Sequence, residues 1–149
     1  MTATYKKIGH SDIETIVNLM KDFYAIDNYL IDLGISKKLF SEFIDNESLG
    51  QAWLIYSKDE VVGYVILTFV FNFEYKGKIA FVDELYLTKN ARGKGIGKQT
   101  MEFVKSQAAE LKLKLLYLEV ETHNANARKL YLATDFEVHN RMIMKYKLN

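Results

Sequence analysis

The sequence predicts a single α/β domain, residues 1–149, in which helices flank a mixed, partly antiparallel β-sheet. Three observations predict this class. Apolar residues repeat with a helical period in some segments and with a period of two in others. Strand-like segments follow one another in the middle of the chain and alternate with helical segments later, which gives the order βααβββαβαβ. No Pro-, Ser- or Gly-rich linker interrupts the 149 residues, which are enough to build one core.

The first third of the chain is predicted to hold one strand and two helices. Thr4–Ile8 has the pattern of a short strand. Ser11–Glu14 has the Ser-x-x-Glu spacing of a capping box, which satisfies the free amides at a helix start, and this helix is expected to end near Phe23. An irregular connection over 23–33 follows, and Ser36 is expected to cap the second helix.

The remaining elements follow from a change of period to two at Ala52 and a return to helical spacing after a cluster of glycines. They are predicted as strands at Trp53–Tyr56, Val61–Phe73 and Ile79–Leu87, a helix with the apolar stripe Met101, Val104, Ala108 and Leu111, a strand at Leu115–Glu121, a helix at Asn126–Ala133 and a closing strand at Glu137–Lys147.

The composition excludes several classes of protein. With 49% hydrophobic and 26% charged residues, the chain is not expected to be disordered. No apolar run approaches the roughly 20 residues of a membrane helix, and no secretory signal is visible, so a cytoplasmic protein without membrane contact is expected. Cysteine is absent, which excludes disulfides and thiol catalysis. The three histidines show no ligand spacing and nothing resembles a recognition helix, so neither a metal nor a nucleic acid is expected.

The charges are divided unevenly along the chain. Residues 1–75 hold 6 lysines and 11 acidic residues, whereas residues 76–149 hold 14 basic and 8 acidic residues. This division suggests that the two halves meet ligands of opposite charge, although an ordinary solvated surface is the alternative.

The strongest motif is the loop Arg92–Lys98, Arg-Gly-Lys-Gly-Ile-Gly-Lys, which lies between a predicted strand and a predicted helix. Glycines at alternate positions allow close backbone approach, and a helix N-terminus favours an anion, so the loop suits a phosphate or pyrophosphate. A Walker A loop is excluded, because Arg92 stands where its first glycine belongs and Gln99 follows the lysine. A dinucleotide fingerprint is excluded because Lys98 stands at its third glycine. A structural tight turn is the remaining alternative.

Two motifs together resemble the GNAT superfamily of acyl-CoA-dependent N-acetyltransferases. The first is the strand Phe81–Leu87 followed by Arg-x-x-Gly-x-Gly, which begins at Arg92. The second is Asn-x-x-Ala-x-x-Leu-Tyr, which runs from Asn124 to Tyr131 and is followed by an aromatic residue, Phe136. Both occur in the family's order, and the element order matches over nearly the whole chain.

The resemblance implies acetyl-CoA as co-substrate and assigns roles to the matching positions. Backbone amides of the loop would hold the pyrophosphate, and the loop consists of Arg92, Gly93, Lys94, Gly95, Ile96, Gly97 and Lys98. The other implied cofactor contacts are Leu85, Tyr86 and Leu87 in the strand, which would also offer an amide to the thioester oxygen, and Asn124 and Ala127 at the second motif. Tyr131 resembles the general acid that protonates the leaving thiolate. The chain departs from the family at two turn positions, Asn90 and Asp135, where many members have proline-containing turns and glycine respectively.

Attack on a thioester requires a neutral amine, whereas a lysine-like amine with a pKa near 10.4 is protonated at neutral pH. Glu84 is the candidate base, because strand alternation directs it to a different face from Asp83 and it adjoins the strand assigned to CoA. A role in orienting the substrate, or a structural pairing, is the alternative for Glu84. Glu119 and Glu121 on the neighbouring strand are weaker candidates.

These observations predict an N-acetyltransferase that moves acetyl directly from acetyl-CoA to a primary amine of a small cationic acceptor or a peptide. Asp27 and Asp32 are expected to join Glu84 in an acidic acceptor site, and the acids in the strand at Glu84 give a weak hint of the polyamine-acetylating branch. A non-catalytic acyl-CoA-binding regulatory module is the alternative function. The oligomeric state is left open, with a homodimer among the alternatives.

Overall fold

The structure, a computed structural model, describes residues 2–149. The chain divides into two compact units, Met1–Glu119 and Val120–Asn149. Short 3-10 turns lie at His10–Asp12 and Lys89–Ala91. The strands and helices are β1 (Ala3–Lys7), α1 (Ile13–Ile26), α2 (Leu33–Asp45), β2 (Gly50–Ser57), β3 (Glu60–Asn72), β4 (Gly77–Leu87), α3 (Ile96–Glu110), β5 (Leu116–Leu118) and α4 (Ala125–Ala133).

The five strands form one sheet in the order β1-β2-β3-β4-β5. The first three pairings are antiparallel, as expected for strands joined by short turns, and β4 pairs with β5 in parallel. A parallel pair needs a crossover connection, and α3 supplies it. The predicted α/β class with a mixed, partly antiparallel sheet is therefore confirmed.

The edge of β4 is irregular and partly unpaired. Leu67 lies opposite Val82 and Ile66 lies opposite Glu84, so Asp83 is an extra residue that makes a β-bulge. On the other side, β5 pairs with β4 only as far as Val82. From Asp83 to Leu87, β4 has no strand partner on that side within residues 2–149. We call Asp83–Leu87 the open edge.

Helices of the first unit cover both faces of the sheet. On one face, Ile16 and Val17 of α1 pack with Tyr64 and Tyr86 of the sheet in one apolar cluster. On the other face, α3 contacts the sheet through Phe103, whose ring lies 4.0 Å from that of Tyr5 in a stacked arrangement. Alternate residues of β4 therefore belong to opposite layers.

The starts of the first two helices differ from the prediction. The expected capping box at Ser11–Glu14 is wrong, because the Asp12 carboxylate accepts from the Gly9 amide and draws the chain into a 3-10 turn before α1. The expected cap of the second helix at Ser36 is also wrong. Asp32 has extended backbone angles and accepts from the Ile35 amide at 3.0 Å, so α2 begins one turn earlier.

The predicted closing strand over Glu137–Lys147 is wrong. The described residues there form no strand, and Met144 and Tyr146 are 86% and 87% exposed. Alternating apolar residues form a strand only where a neighbouring strand supplies hydrogen bonds. The unit Val120–Asn149, all of which is described, contains α4 and no strand that could pair with this segment.

Asp12 is expected to stabilise the fold. Its buried carboxylate accepts hydrogen bonds from the Gly9 amide and the Lys6 ammonium, each 2.9 Å long. Burial raises the pKa of Asp12, but these two partners outweigh burial and hold the pKa below its ordinary value. We therefore expect Asp12→Ala to lower the free energy of unfolding by about 1–3 kcal/mol at pH 7, measured by urea unfolding.

This contribution should depend on pH in one direction. A carboxyl group with a lowered pKa stabilises the fold above its unfolded pKa, and the stabilisation is lost as the pH falls through the folded pKa. The difference between wild type and Asp12→Ala should thus stay constant down to about pH 5 and shrink below about pH 4. Asp22→Asn, at an exposed acid of α1, should show no such difference. A difference that persists unchanged at pH 2 would contradict the assignment.

Candidate active site

The glycine-rich loop connects β4 to α3 and presents an open backbone surface. Gly93 and Gly95 have φ angles of +72° and +83°, a region that favours glycine. Apart from each glycine, its two chain neighbours and nearby helix backbone, no described atom lies within 4 Å of the position that a Cβ would take at either residue. The loop therefore leaves room for a ligand to approach its backbone.

The first turn of α3 supplies hydrogen-bond donors at this loop. Gly95 is the N-cap residue and has no side chain to accept a hydrogen bond. The amides of Ile96, Gly97 and Lys98 begin the helix and have no intrahelical acceptor. The Ile96 side chain is buried, so its contribution to a ligand is limited to the backbone. Together with exposed Lys94, this geometry suits an anion such as a pyrophosphate.

Arg92 fastens the loop to the end of β4. Its Nε donates to the Leu87 carbonyl at 3.0 Å, and its guanidinium lies 5.8 Å from the centre of the Tyr86 ring. Arg92 was predicted to bind the cofactor. These two contacts help to fix the position of the loop, and cofactor binding by Arg92 stays a prediction.

The predicted strand residues lie on the open edge. The side chain of Tyr86 is buried on the α1 face, whereas Leu85 and Leu87 pack against Ile55, Ala91 and Ile96 on the other face. Their backbone groups on the β5 side have no strand partner within residues 2–149. Such groups can bind the amides of an extended ligand such as pantetheine, because each amide offers both a donor and an acceptor.

Glu84 lies half-buried at the start of the open edge and is held by two tyrosines. Tyr64 Oη donates to its Oε1 at 2.7 Å, and Tyr24 Oη donates to its Oε2 at 2.6 Å. Burial raises the pKa of Glu84, and the Asp83 carboxylate raises it further. These effects outweigh the two hydrogen bonds, which favour the ionised form. A carboxylate with a raised pKa is a stronger base than an exposed one.

A cavity of about 300 Å³ lies in front of this carboxylate. It is lined by Phe23, Tyr24, Asp27, Tyr29 and Glu84. Two of the acids expected at the acceptor site, Asp27 and Glu84, therefore line the same cavity. Asp32 lies instead at the N-terminus of α2, where its carboxylate caps the helix.

The end of α1 determines where the lining residues lie. Asn28 has a φ angle of +60° and donates its amide to the Ala25 carbonyl, and the Tyr29 amide donates to the Tyr24 carbonyl at 3.0 Å. These two bonds form a Schellman motif, with asparagine in the position that requires a left-handed backbone. The motif turns the chain sharply, so that Asp27 and Tyr29 line the cavity beside Tyr24 of the last helical turn.

The second unit contains the other predicted site residues. Asn124 is the N-cap of α4, and its Oδ1 accepts from the Ala127 amide at 3.0 Å. Tyr131 lies in the last turn of α4, and burial raises the pKa of its hydroxyl above its ordinary value. The Phe136 amide donates to the Tyr131 carbonyl, and the two rings lie 6.0 Å apart.

Asp135 explains how this turn forms without the glycine that the family usually has there. Its φ angle is +73°, and its amide donates to the Leu132 carbonyl. Aspartate tolerates the left-handed region better than most residues. The turn therefore forms with aspartate at the position where the family usually has glycine.

Sequence reasoning missed Tyr24 and Tyr64. Tyr64 could have been found from the sheet register, because Ile66 lies opposite Glu84 and Tyr64 is the next β3 residue on the same face. Tyr24 lies 60 positions from Glu84, and no local pattern indicates that contact. The alternative bases Glu119 and Glu121 are both exposed, whereas Glu84 is half-buried.

Comparisons with known proteins agree with this fold. The chain is 25% identical over 128 residues to the D-amino-acid N-acetyltransferase HPA3 of Saccharomyces cerevisiae, a match that covers 85% of this chain and 80% of that protein. An integron cassette protein from the Cole Harbour Salt Marsh metagenome superposes with a TM-score of 0.88 at 30% identity, over 97% of this chain and 90% of that one.

A predicted acetyltransferase from Clostridium acetobutylicum, solved with acetyl-CoA, has a TM-score of 0.81 at 15% identity, over 97% of this chain and 96% of that one. At that identity the likeness shows the fold.

Within residues 2–149, no helix combines the length and apolar character needed to cross a membrane. The model of the acetyltransferase (GNAT) family matches residues 14–136, which is most of the chain. The chain therefore belongs to the GNAT acetyltransferase family and is an acyltransferase.

Proposed function

We propose that this enzyme transfers acetyl from acetyl-CoA directly to a primary amine of a small cationic acceptor or a peptide. One observation supports this most. A single strand, β4, carries a half-buried carboxylate that lines a cavity, continues as the open edge, and ends in a loop that suits a pyrophosphate. The yeast relative is named as an N-acetyltransferase, which supports nitrogen as the acceptor atom.

Acetyl-CoA supplies an activated thioester, and the protein supplies its position. The amides of Gly95 to Lys98 and the charge of Lys94 would bind the pyrophosphate, and Arg92 would hold the loop in place. An amide of the open edge, among Leu85, Tyr86 and Leu87, would stabilise the developing oxyanion. Asn124 and Ala127 would contact the pantetheine arm, because their motif resembles the one that has this role in the family.

Glu84 would accept the proton that the amine must lose. Tyr24 lines the cavity, and its hydroxyl already donates to Glu84 Oε2. It can accept a proton from the ammonium while its own proton passes to the carboxylate, so that the net transfer is from the amine to Glu84. Tyr131 would give its proton to the sulfur of the leaving thiol, an assignment that comes from its motif.

Release of CoA thiol in the presence of different amines tests the proposed function. We expect acetyl-CoA-dependent thiol release with at least one primary amine among arylalkylamines, polyamines, amino acids, aminoglycosides and peptides. The acetylated amine should be detected by mass spectrometry in equal amount to the thiol. If the protein binds acetyl-CoA but releases no CoA thiol with any of these amines, the proposal is contradicted and a binding module is favoured.

Gly95→Glu should weaken binding of acetyl-CoA by about 10- to 100-fold in calorimetry. The new carboxylate would repel the pyrophosphate, and its side chain would occupy space that is now open. Gly95→Gln is the matched control for the size of the side chain and for the strain at a φ angle of +83°. This variant should bind acetyl-CoA more tightly than Gly95→Glu does. A folded Gly95→Glu protein with wild-type affinity for acetyl-CoA would show that the cofactor binds elsewhere.

A further inference from the structure

The residues that line the cavity in front of Glu84 indicate an acceptor with an apolar group in addition to its amine. Three of its five lining residues are aromatic, namely Phe23, Tyr24 and Tyr29, and the other two are acids. Resting on the proposed function, we propose that the preferred acceptor is a primary amine on an aryl-alkyl group, with the ring against Phe23 and Tyr29 and the ammonium directed toward Tyr24 and Glu84. This differs from the polyamine suggested by the sequence.

The aromatic wall is fixed before any ligand binds. The Phe23 ring stacks on Tyr86 with ring centres 5.2 Å apart and meets the Tyr64 ring edge-on at 6.4 Å. Both partners are buried core residues. Phe23 therefore presents a rigid apolar surface to the cavity, and a ligand ring can pack on it without reordering the protein.

The lining residue Tyr29 lacks an apolar cover. Tyr29 lines the cavity yet is 64% exposed, and the nearby Ile26, the last residue of α1, and Leu30 are 55% and 101% exposed. The Schellman motif at Asn28 holds this segment in place. An apolar ligand body would remove the Tyr29 ring from water, whereas a linear polyamine would leave most of it exposed.

The acids of the cavity differ in what they can contribute. Glu84 is half-buried and both of its oxygens accept from tyrosines, so it can bind one ammonium in a partly desolvated place. Asp27 is exposed, and an exposed ion pair changes affinity by at most a few-fold. Burying one ring against aromatic walls changes affinity by about tenfold or more. The apolar contribution is therefore the larger one.

The size of the cavity also favours a small molecule. Its volume of about 300 Å³ lies at the lower end of the range of roughly 300–1,000 Å³ found for small-molecule sites. That space suits one ring with a short arm.

Calorimetry with four amines tests the proposal on the protein saturated with CoA. Ethylamine and 2-phenylethylamine differ by the ring, whereas n-butylamine and 1,4-diaminobutane share a four-carbon chain and differ by the second ammonium. We expect 2-phenylethylamine to bind at least tenfold more tightly than 1,4-diaminobutane, and the two butyl amines to agree within about threefold. A diamine that binds tenfold more tightly than both n-butylamine and 2-phenylethylamine would overturn the proposal.

Three variants locate the effect. Tyr29→Ala should weaken the binding of 2-phenylethylamine about tenfold and change the affinity for ethylamine by no more than about twofold. Tyr29→Phe should keep the affinity for both amines. Asp27→Asn should weaken the binding of each amine by no more than about threefold. Because Tyr29 and Asp27 are exposed, these variants should fold. An aryl preference that survives in Tyr29→Ala would also overturn the proposal.

Thiol release measured in parallel separates this inference from the proposed function. If 2-phenylethylamine binds as expected but no amine releases thiol, the proposed function is wrong and the ligand class stands. If amines are acetylated with no preference for the aryl compound in binding, the ligand class is wrong and the proposed function stands.

Discussion

A Glu84→Gln enzyme is expected to acetylate its best amine about 10² to 10⁴ times more slowly in a single turnover, with binding of acetyl-CoA unchanged. Glutamine keeps the size of the side chain and can still pair with Tyr24 and Tyr64, because a phenol can accept as well as donate. The variant therefore removes the proton acceptor without opening a cavity. Rapid-quench measurement at saturating acetyl-CoA reports this step without interference from product release.

The pH profile gives a second readout for Glu84. A base must be ionised, so kcat/KM of the wild type should fall as the pH drops through the pKa of Glu84. Burial and Asp83 raise this pKa, which places the fall above the ordinary range of a glutamate. Glu84→Gln should lose this part of the profile. Glu119→Gln is the control at an exposed acid. If Glu119→Gln proved slow and Glu84→Gln normal, the base would be Glu119.

Tyr131→Phe is expected to lower the single-turnover rate by about 10² to 10⁴ as well, because the departing thiolate loses its proton donor. The change removes one oxygen and keeps the ring, so the contact with Phe136 should remain. We therefore expect kcat and kcat/KM to fall together, with the dissociation constant of acetyl-CoA nearly unchanged.

A matched variant separates catalysis from packing at this position. Tyr146→Phe removes the hydroxyl of an exposed tyrosine in the same unit and should leave the single-turnover rate as it is. Raising the pH should not restore Tyr131→Phe, since phenylalanine has no proton to give. A Tyr131→Phe enzyme with the wild-type rate would make Tyr131 a packing residue and leave protonation of the thiolate to water.

The sheet and the glycine-rich loop could be predicted from the sequence because their signals are local. A period of two identifies β2, β3 and β4, and Arg-x-x-Gly-x-Gly lies between a strand and a helix as expected. The starts of the helices were harder to predict, because several residues that can cap a helix lie within a few positions of one another. Asp12, which binds Gly9 and Lys6, starts the first helix in place of the expected box between Ser11 and Glu14, and Asp32 caps α2 ahead of Ser36.

The candidate site was predicted in part, for a similar reason. Glu84 was found because its strand is recognisable, but the tyrosines that bind it depend on tertiary contacts. Tyr24 reaches Glu84 only because α1 extends to Ile26, beyond the predicted end at Phe23. The closing strand at Glu137–Lys147 failed for the opposite reason, since alternation was present but a partner strand was not found among the residues of its unit.

The open edge of β4 also bears on self-association. An exposed strand edge can pair with a strand of another molecule, and long, flat edges lead to aggregation. Here the edge runs only from Asp83 to Leu87, begins with a bulge that increases its twist, and carries two acids at its start. The irregularity that leaves backbone groups accessible to a ligand thus makes the same edge a poor template for intermolecular sheets.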